Sequence, residues 1–354
     1  MKKIECNLPD VNFIINLKSE YYDLANKALN ESIISYKKNT DKNIEIEYIV
    51  DADKFLDLIK VIKNSSGKIY DSFKNQTHKE VKLGNRFYYL VNCEEYICVK
   101  NNDFDYQIIV KENNATSLNW IIRVIRELYL REKEDLKFAY MHGTGLEVEN
   151  KGLLLLGTSG SGKTTLAVKF LELEGKKKFL SNDRVLVNEC ADMDYFPHAV
   201  TYAMGTVKNN KHLDEYFKRT RILESKKKIK YEDATYTDQC NTPLTDVEKV
   251  FETTNMVART KLDTIIYPRF NKEMEGFEIF EMTDEEKRQL LEETNFTPND
   301  TEALRKPWIR KRYIDEEELL DIRKSIIEHL IENVNIKKVK YGVKTNARDI
   351  FNNL

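Results

Sequence analysis

The stretch 153-LLLLGTSGSGKTTLAVKF-170 decides how the rest of the chain is read. Leu153 to Leu156 form an apolar run of strand length, Gly157, Gly160 and Gly162 break it, and Thr165 to Leu173 has the composition of a helix. Glycines let the backbone curl so that successive N–H groups face inward, and the helix that follows adds the positive end of its dipole. Gly157-Thr158-Ser159-Gly160-Ser161-Gly162-Lys163-Thr164 satisfies Gly-x-x-x-x-Gly-Lys-[Ser/Thr] in full, between strand and helix as that motif requires. The spacing predicts a polyphosphate cradle. Lys163 reaches the β and γ phosphates, Thr164 ligates Mg²⁺ through its hydroxyl, and Thr165 completes the cradle, so ATP and Mg²⁺ are the expected cofactors.

Downstream, 177-KKFLSNDRVLV-187 reads as the next strand, so that strand, helix and strand make a crossover of the kind that builds a parallel sheet. A magnesium site needs an acidic group at a strand end, and Asp183 lies there; the competing reading is a plain turn residue, because Asp favours turns. Upstream, His142 in 140-YMHGTGLEV-148 stands beside Gly143, either structural or an acid–base group near the phosphate. Arg259 and Arg269 flank 262-LDTIIYP-268 and are candidates to neutralise the γ phosphate, Arg269 ahead of Arg259, against the alternative of ordinary surface arginines.

The chain has 354 residues, enough for two domains or one large domain with an accessory layer. Its 57 basic and 59 acidic residues leave a net charge of −2, so no global field points to nucleic acid or to a membrane surface. The cysteines at 6, 93, 98, 190 and 240 lack zinc-site spacing and read as reduced thiols in a cytoplasmic protein. No apolar run approaches the ~20 residues of a membrane span.

Residues 1 to about 115 read as a β-rich, largely antiparallel layer: Ile44, Ile46, Tyr48 and Val50 alternate, and Arg86–Val91, Tyr96–Lys100 and Asp105–Val110 form a meander. Ser117 is expected to cap a helix with Leu118, Ile121, Ile122, Ile125 and Leu128 on one face, ending at the charged break 131-REKEDLK-137. That break divides an N-terminal α+β domain, 1–130, from a nucleotide-binding domain, 131–354. Residues 207–240 form a basic insertion with Lys208, Lys211, Lys218, Arg219, Arg221, Lys226, Lys227, Lys228 and Lys230, either a solvated, partly helical segment or a substrate-docking arm. Thr283 with Glu286 and Asp315 with Glu318 have capping-box spacing, and Ile336 to Leu354 reads as a last strand and a closing helix.

The segment 141-MHGTGLEVENKGLLLLGTSGSGKTTLAVKFLELEGKKKFLSNDRVLV-187 resembles the core of the HPr kinase/phosphorylase family, and more closely its HPr-kinase-related relatives, whose fold is related to that of ATP-dependent phosphoenolpyruvate carboxykinase. The likeness runs on through 196-FPHAVTYAMGT-206, 262-LDTIIYPRF-270 and 305-RKPWIR-310; the first 130 residues carry none. The resemblance implies an α/β P-loop core of the HPr kinase/carboxykinase type, with an ATP-dependent kinase acting on a serine or threonine hydroxyl of a protein or a ribosomal precursor peptide. It implies His142 by the transferred phosphate, Lys163 and Thr164 on nucleotide and Mg²⁺, and Asp183 on the metal. Asn182-Asp183 stands where the family has Asp-Asp, whose first member is the base. An amide takes no proton at neutral pH, so Asp183 or His142 serves as base, or the chemistry is altered or lost. The family's Glu-Val-Arg-Gly signature is absent, which argues against HPr as acceptor. The alternatives are a nucleotide-binding regulatory ATPase module with little phosphotransfer, and a carboxykinase-like lyase. The N-terminal layer is left for acceptor recognition, by strand addition for instance, or for assembly into a homo-oligomer.

Overall fold

Glu149 and Asn150 both have positive φ, 50° and 66°, and these two residues shape the sheet that carries the glycine loop. A two-residue turn with both φ positive is the hairpin turn whose twist matches its flanking strands. It joins Gly143–Val148 to Lys151–Leu156 antiparallel, pairing Leu146 with Leu153. The crossover strand after the helix, Lys177–Ser181, therefore does not lie against Lys151–Leu156: it pairs antiparallel with the free edge of Gly143–Val148. Instead of an all-parallel sheet, one antiparallel strand separates two parallel ones, because the hairpin is the more local contact.

The structure, a computed structural model, describes residues 1–71, 76–220, 230–251, 254–298 and 307–354. It is a mixed α/β protein that divides into two units, Met1–Lys137 with Pro298–Leu319, and Phe138–Thr297 with Leu320–Leu354. The segment Pro298–Leu319, grouped with the second domain on sequence, belongs to the first unit.

In the second unit the sheet runs Thr254–Met256, Lys177–Ser181, Gly143–Val148, Lys151–Leu156, Thr264–Phe270, Asn335–Tyr341, Phe277–Glu281. Lys151–Leu156, Thr264–Phe270 and Asn335–Tyr341 are mutually parallel. Helix Lys163–Leu171 buries Leu166, Ala167 and Phe170 against Leu153, Leu155, Ile266 and Val339, with the closing helix Ala347–Asn352 beside it. Each of the larger of these side chains contributes about 1.5–3 kcal/mol by leaving water.

The run 177–187, read as one strand, is two. It breaks after Ser181, and Val185–Val187 joins a different sheet with Asp192–Tyr195, Ala139–Met141 and Arg259–Lys261. Ser181 Oγ holds the corner, bonding to Phe196 O at 2.9 Å and to Arg184 O at 2.5 Å.

The first unit carries an eight-stranded sheet whose consecutive strands Arg86–Val91, Ile97–Asn102 and Asp105–Val110 form the expected meander. The sheet is not wholly antiparallel: Asn43–Val50 runs parallel to both Val11–Leu17 and Asp105–Val110. Helix Ala52–Asn64 covers one face with Phe55, Ile59 and Ile62. Helix Ala115–Asp135 is capped by Asn114, not Ser117; Ser117 is the third helical residue and completes the capping box. The helix also continues into the charged stretch 131–137 and ends within it, at Asp135.

In the insertion, Met204–Lys208 and Lys211–Thr220 are helical. Arg221, Lys226, Lys227 and Lys228 lie outside the described residues, as do Arg305 and Lys306. Both predicted caps form, with Glu286 N donating to Thr283 Oγ1 and Glu318 N to Asp315 Oδ1.

Candidate functional site

Strand Lys151–Leu156 ends at Gly157, and helix Lys163–Leu171 starts six residues later. The loop between them turns through left-handed backbone at Gly160 (φ 82°) and Gly162 (φ 100°). At Gly162 glycine is required twice over: a Cβ there would lie 2.6 Å from Tyr341 Oη and 2.8 Å from Phe270 Cβ. Tyr341 Oη donates to Gly162 O at 2.7 Å and Phe270 N to Ser161 O at 3.1 Å, so the ends of two neighbouring strands hold the loop. Lys163 is buried, its Nζ donating to Gly157 O at 2.6 Å and Thr158 O at 3.1 Å. Its charge is thus kept at the loop's mouth, with carbonyls taking the hydrogen bonds that water would otherwise take.

The corner after Ser181 supplies the acidic group. Asp183 sits in left-handed backbone, φ 62°, while its neighbour Asn182 is fully buried. Asn182 Oδ1 accepts from Thr144 Oγ1 at 3.1 Å and from Thr164 Oγ1 at 3.4 Å. Among the described residues its buried Nδ2 has no hydrogen-bond partner. Asn182 therefore does not reach solvent; it receives the hydroxyl proton of Thr164 and leaves that oxygen's lone pairs for another partner.

His142, at the amino end of Gly143–Val148, is half-buried, with its ring 5.4 Å from that of Phe296 and its N–H bonded to Thr294 O. Burial, then the charges of Lys163 and Arg184, push its pKa down to about 3, so the imidazole is neutral at physiological pH. Arg184, which sequence reasoning passed over, lies 4.8 Å over the Phe296 ring and donates to Asp183 O at 2.9 Å.

These groups converge on one cavity of about 670 Å³, lined by Ser159, Gly160, Gly162, Lys163, Thr164, Thr165, His142 and Asp183. It extends along the helix past Val168, Lys169 and Glu172, and is bounded by Thr206, Tyr236 and Gln239 on one side and by Phe270, Lys272 and Val343 on another. Thr165 Oγ1 and Thr206 Oγ1 are 2.7 Å apart, tying the start of the basic insertion to the loop helix. Among the described residues no cluster of three or more His, Cys, Asp or Glu is placed to hold a metal by itself.

Gly157, Thr158, Ser161, Asn182 and the two arginines do not line the cavity. Gly157 and Ser161 act beneath it: Ser161 Oγ would be 2.7 Å from a Cβ on Gly157. Arg269 lies over the Tyr267 ring at 4.4 Å and is exposed; because neighbours on a strand face opposite ways, Phe270 takes the cavity side in its place. Arg259 is paired with the buried Asp194, its Nη2 2.7 Å from Oδ2. The residues that sequence reasoning missed, Thr206, Tyr236, Gln239 and Phe270, carry no local motif and gain meaning only by their place around the helix.

Among the described residues no helix is long and apolar enough to cross a membrane. The five cysteines are unpaired. No protein-family model matches the chain, and no curated protein does.

Proposed function

We propose that the chain is an ATP-dependent kinase that phosphorylates a serine or threonine hydroxyl of a protein or of a ribosomally made precursor peptide. The observation that carries this reading is the meeting of Lys163, Thr164, Asp183 and His142 around one cavity at the mouth of the glycine loop. A glycine-rich loop leading into a helix N-terminus suits a polyphosphate, and Lys163 can exchange its bonds to Gly157 O and Thr158 O for bonds to phosphate oxygens.

Thr164 Oγ1 and the Asp183 carboxylate are hard oxygen donors, and Mg²⁺ takes few protein ligands, filling its octahedron with phosphate oxygens and water. The donor set fits that ion, which when bound neutralises phosphate charge during transfer. Asn182 turns the Thr164 hydroxyl so that its oxygen presents lone pairs. His142, held neutral, offers a hydrogen bond to the transferred group but is a weak base. That leaves Asp183 to orient the acceptor hydroxyl, a duty the loose phosphoryl-transfer transition state makes light.

The test is a mass-spectrometric transfer assay with Mg²⁺, ATP and candidate protein and peptide acceptors, using Lys163→Ala as control. Gain of one phosphate on an acceptor that disappears in Lys163→Ala supports the kinase. Nucleotide binding with only ADP formed, or with no turnover, supports a second reading that the buried Asn182 favours: a nucleotide-binding regulatory ATPase module whose partner binding depends on the loaded nucleotide. In that case Asn182→Asp is the variant that asks whether a carboxylate restores transfer.

A further inference from the structure

The cavity has two chemically different flanks, and the sheet order fixes which is which. The strands Lys177–Ser181, Lys151–Leu156, Thr264–Phe270 and Asn335–Tyr341 all point the same way, so their carboxyl ends lie side by side at the cavity. The glycine loop leaves the second of them and stands in the middle. On the Lys177–Ser181 side lie His142 and Asp183, polar and acidic. On the opposite side, at the end of Thr264–Phe270 and past the end of Asn335–Tyr341, lie Phe270 and Val343, with the charged Lys272 beside them. Phe270 and His142 lie at strands one spacing from the loop strand, and Val343 and Asp183 follow strands two spacings away, roughly 10 Å at about 4.8 Å per strand.

Phe270 is 40% exposed and Val343 37%, both in a concave site. The Phe270 backbone is firmly held: its N–H donates to Ser161 O, its Cβ abuts Gly162, and its ring meets the Tyr341 ring edge-on at 5.5 Å. A rigid aromatic face left open beside a phosphate cradle suits a flat apolar ligand group joined to a polyphosphate. Resting on the kinase reading above, in which Asp183 marks the transferring end, we propose that the Phe270–Val343 flank is the nucleoside subsite, with the base of a purine nucleoside triphosphate stacked on Phe270. Lys169, whose Nζ donates to Val343 O at 2.7 Å and Thr345 O at 3.1 Å, anchors the loop that presents Val343. No arginine is needed at this end, and a contact made through a ring face is tolerant of which purine it receives.

The test compares two ligands by calorimetry on the full chain: a non-hydrolysable ATP analogue and inorganic tripolyphosphate, each with Mg²⁺, against wild type, Phe270→Ala and Phe270→Tyr. Phe270→Ala keeps the Cβ that packs on Gly162, so the loop retains its support. The expected result is an affinity for the ATP analogue about tenfold weaker in Phe270→Ala, the low end of what base–aromatic stacking supplies, with tripolyphosphate unchanged within about twofold and Phe270→Tyr like wild type. Wild-type binding of both ligands with no loss of the ATP analogue in Phe270→Ala, or equal loss of both, overturns the subsite and leaves the kinase reading standing. Failure of the wild-type chain to bind either ligand overturns both.

Discussion

Asp183 and Asn182 are sequence neighbours that carry opposite kinds of cost. Asp183 holds a left-handed backbone that only glycine adopts freely, and Asn182 keeps a buried side-chain N–H that has no partner among the described residues. Strain of this kind is worth about 1 kcal/mol or more, and it persists where the surroundings over-determine the conformation. Asp183→Gly separates the two demands. It relieves the φ strain, so the thermal midpoint should stay level or rise, while the Mg²⁺-dependent transfer proposed above should fall by about 100-fold. A variant that keeps full transfer in the assay would remove Asp183 from the site. Before the structure, Asp183 was legible as acidic and near a strand end, because the motif spacing is local. Its left-handed corner was not, since nothing in Ser181-Asn182-Asp183-Arg184 announces that the strand changes sheets there; Phe196, fifteen residues on, completes that corner.

At the scale of one element, the stretch 131–135 shows how a local rule can mislead. A run of alternating charges is ordinarily a solvated surface or a break, yet Arg131, Glu132, Lys133 and Glu134 are each no more than 2% exposed within helix Ala115–Asp135. Arg131 pairs locally with Glu127 and Glu134, while the others find partners far along the chain: Arg310 pairs with Glu132 and Asp135, Arg312 with Glu134, and Lys133 with Asp10. Burial of charge is tolerable only when each is paired, and removing one partner of such a set costs about 3–5 kcal/mol. Arg310→Ala leaves Glu132 with Lys42 alone and Asp135 with the Tyr313 N–H, and should destabilise the first unit by up to that amount. Trp120 and Trp308 both belong to this unit and are the chain's two tryptophans, so the shift is read directly as an earlier denaturant midpoint in tryptophan fluorescence. An unchanged midpoint would mean the network contributes nothing. No sequence window holds both Glu132 and Arg310, 178 residues apart, which is why this network was invisible beforehand.

Across the whole molecule, each unit holds a neutral histidine, buried in the first and half-buried in the second. In the first, His78 stacks on Trp308, ring centroids 3.8 Å apart, and sits 2.5 Å from Tyr96 Oη; burial, with a smaller contribution from the Arg123 charge, pushes its pKa down to about 3. In the second, His142 is held down to about 3 as well. An unfolded histidine titrates near 6.5, so below that value the unfolded chain binds protons that the folded chain refuses. The stability these groups contribute is present above about pH 6.5 and is lost as pH falls toward 3, at up to about 1.4 kcal/mol per pH unit for each. Thermal midpoints should therefore decline from pH 7 to pH 5, and less steeply in His142→Asn. An identical slope in that variant would show that His142 titrates normally.

The glycine loop, the lysine and threonine that follow it, the N-terminal meander and the helix caps at Thr283 and Asp315 were determined by the sequence itself, because each depends on residues within a few positions of one another. The order of the strands, the corner that presents Asp183, the buried helix end and the second flank of the cavity were decided only by tertiary structure. The hairpin at Glu149-Asn150 displaced a strand from its expected neighbour, and Phe270 came to face the cavity while Arg269 turned away. Local propensity ends where the partner of a residue lies a hundred positions away, and there packing and charge pairing choose the arrangement.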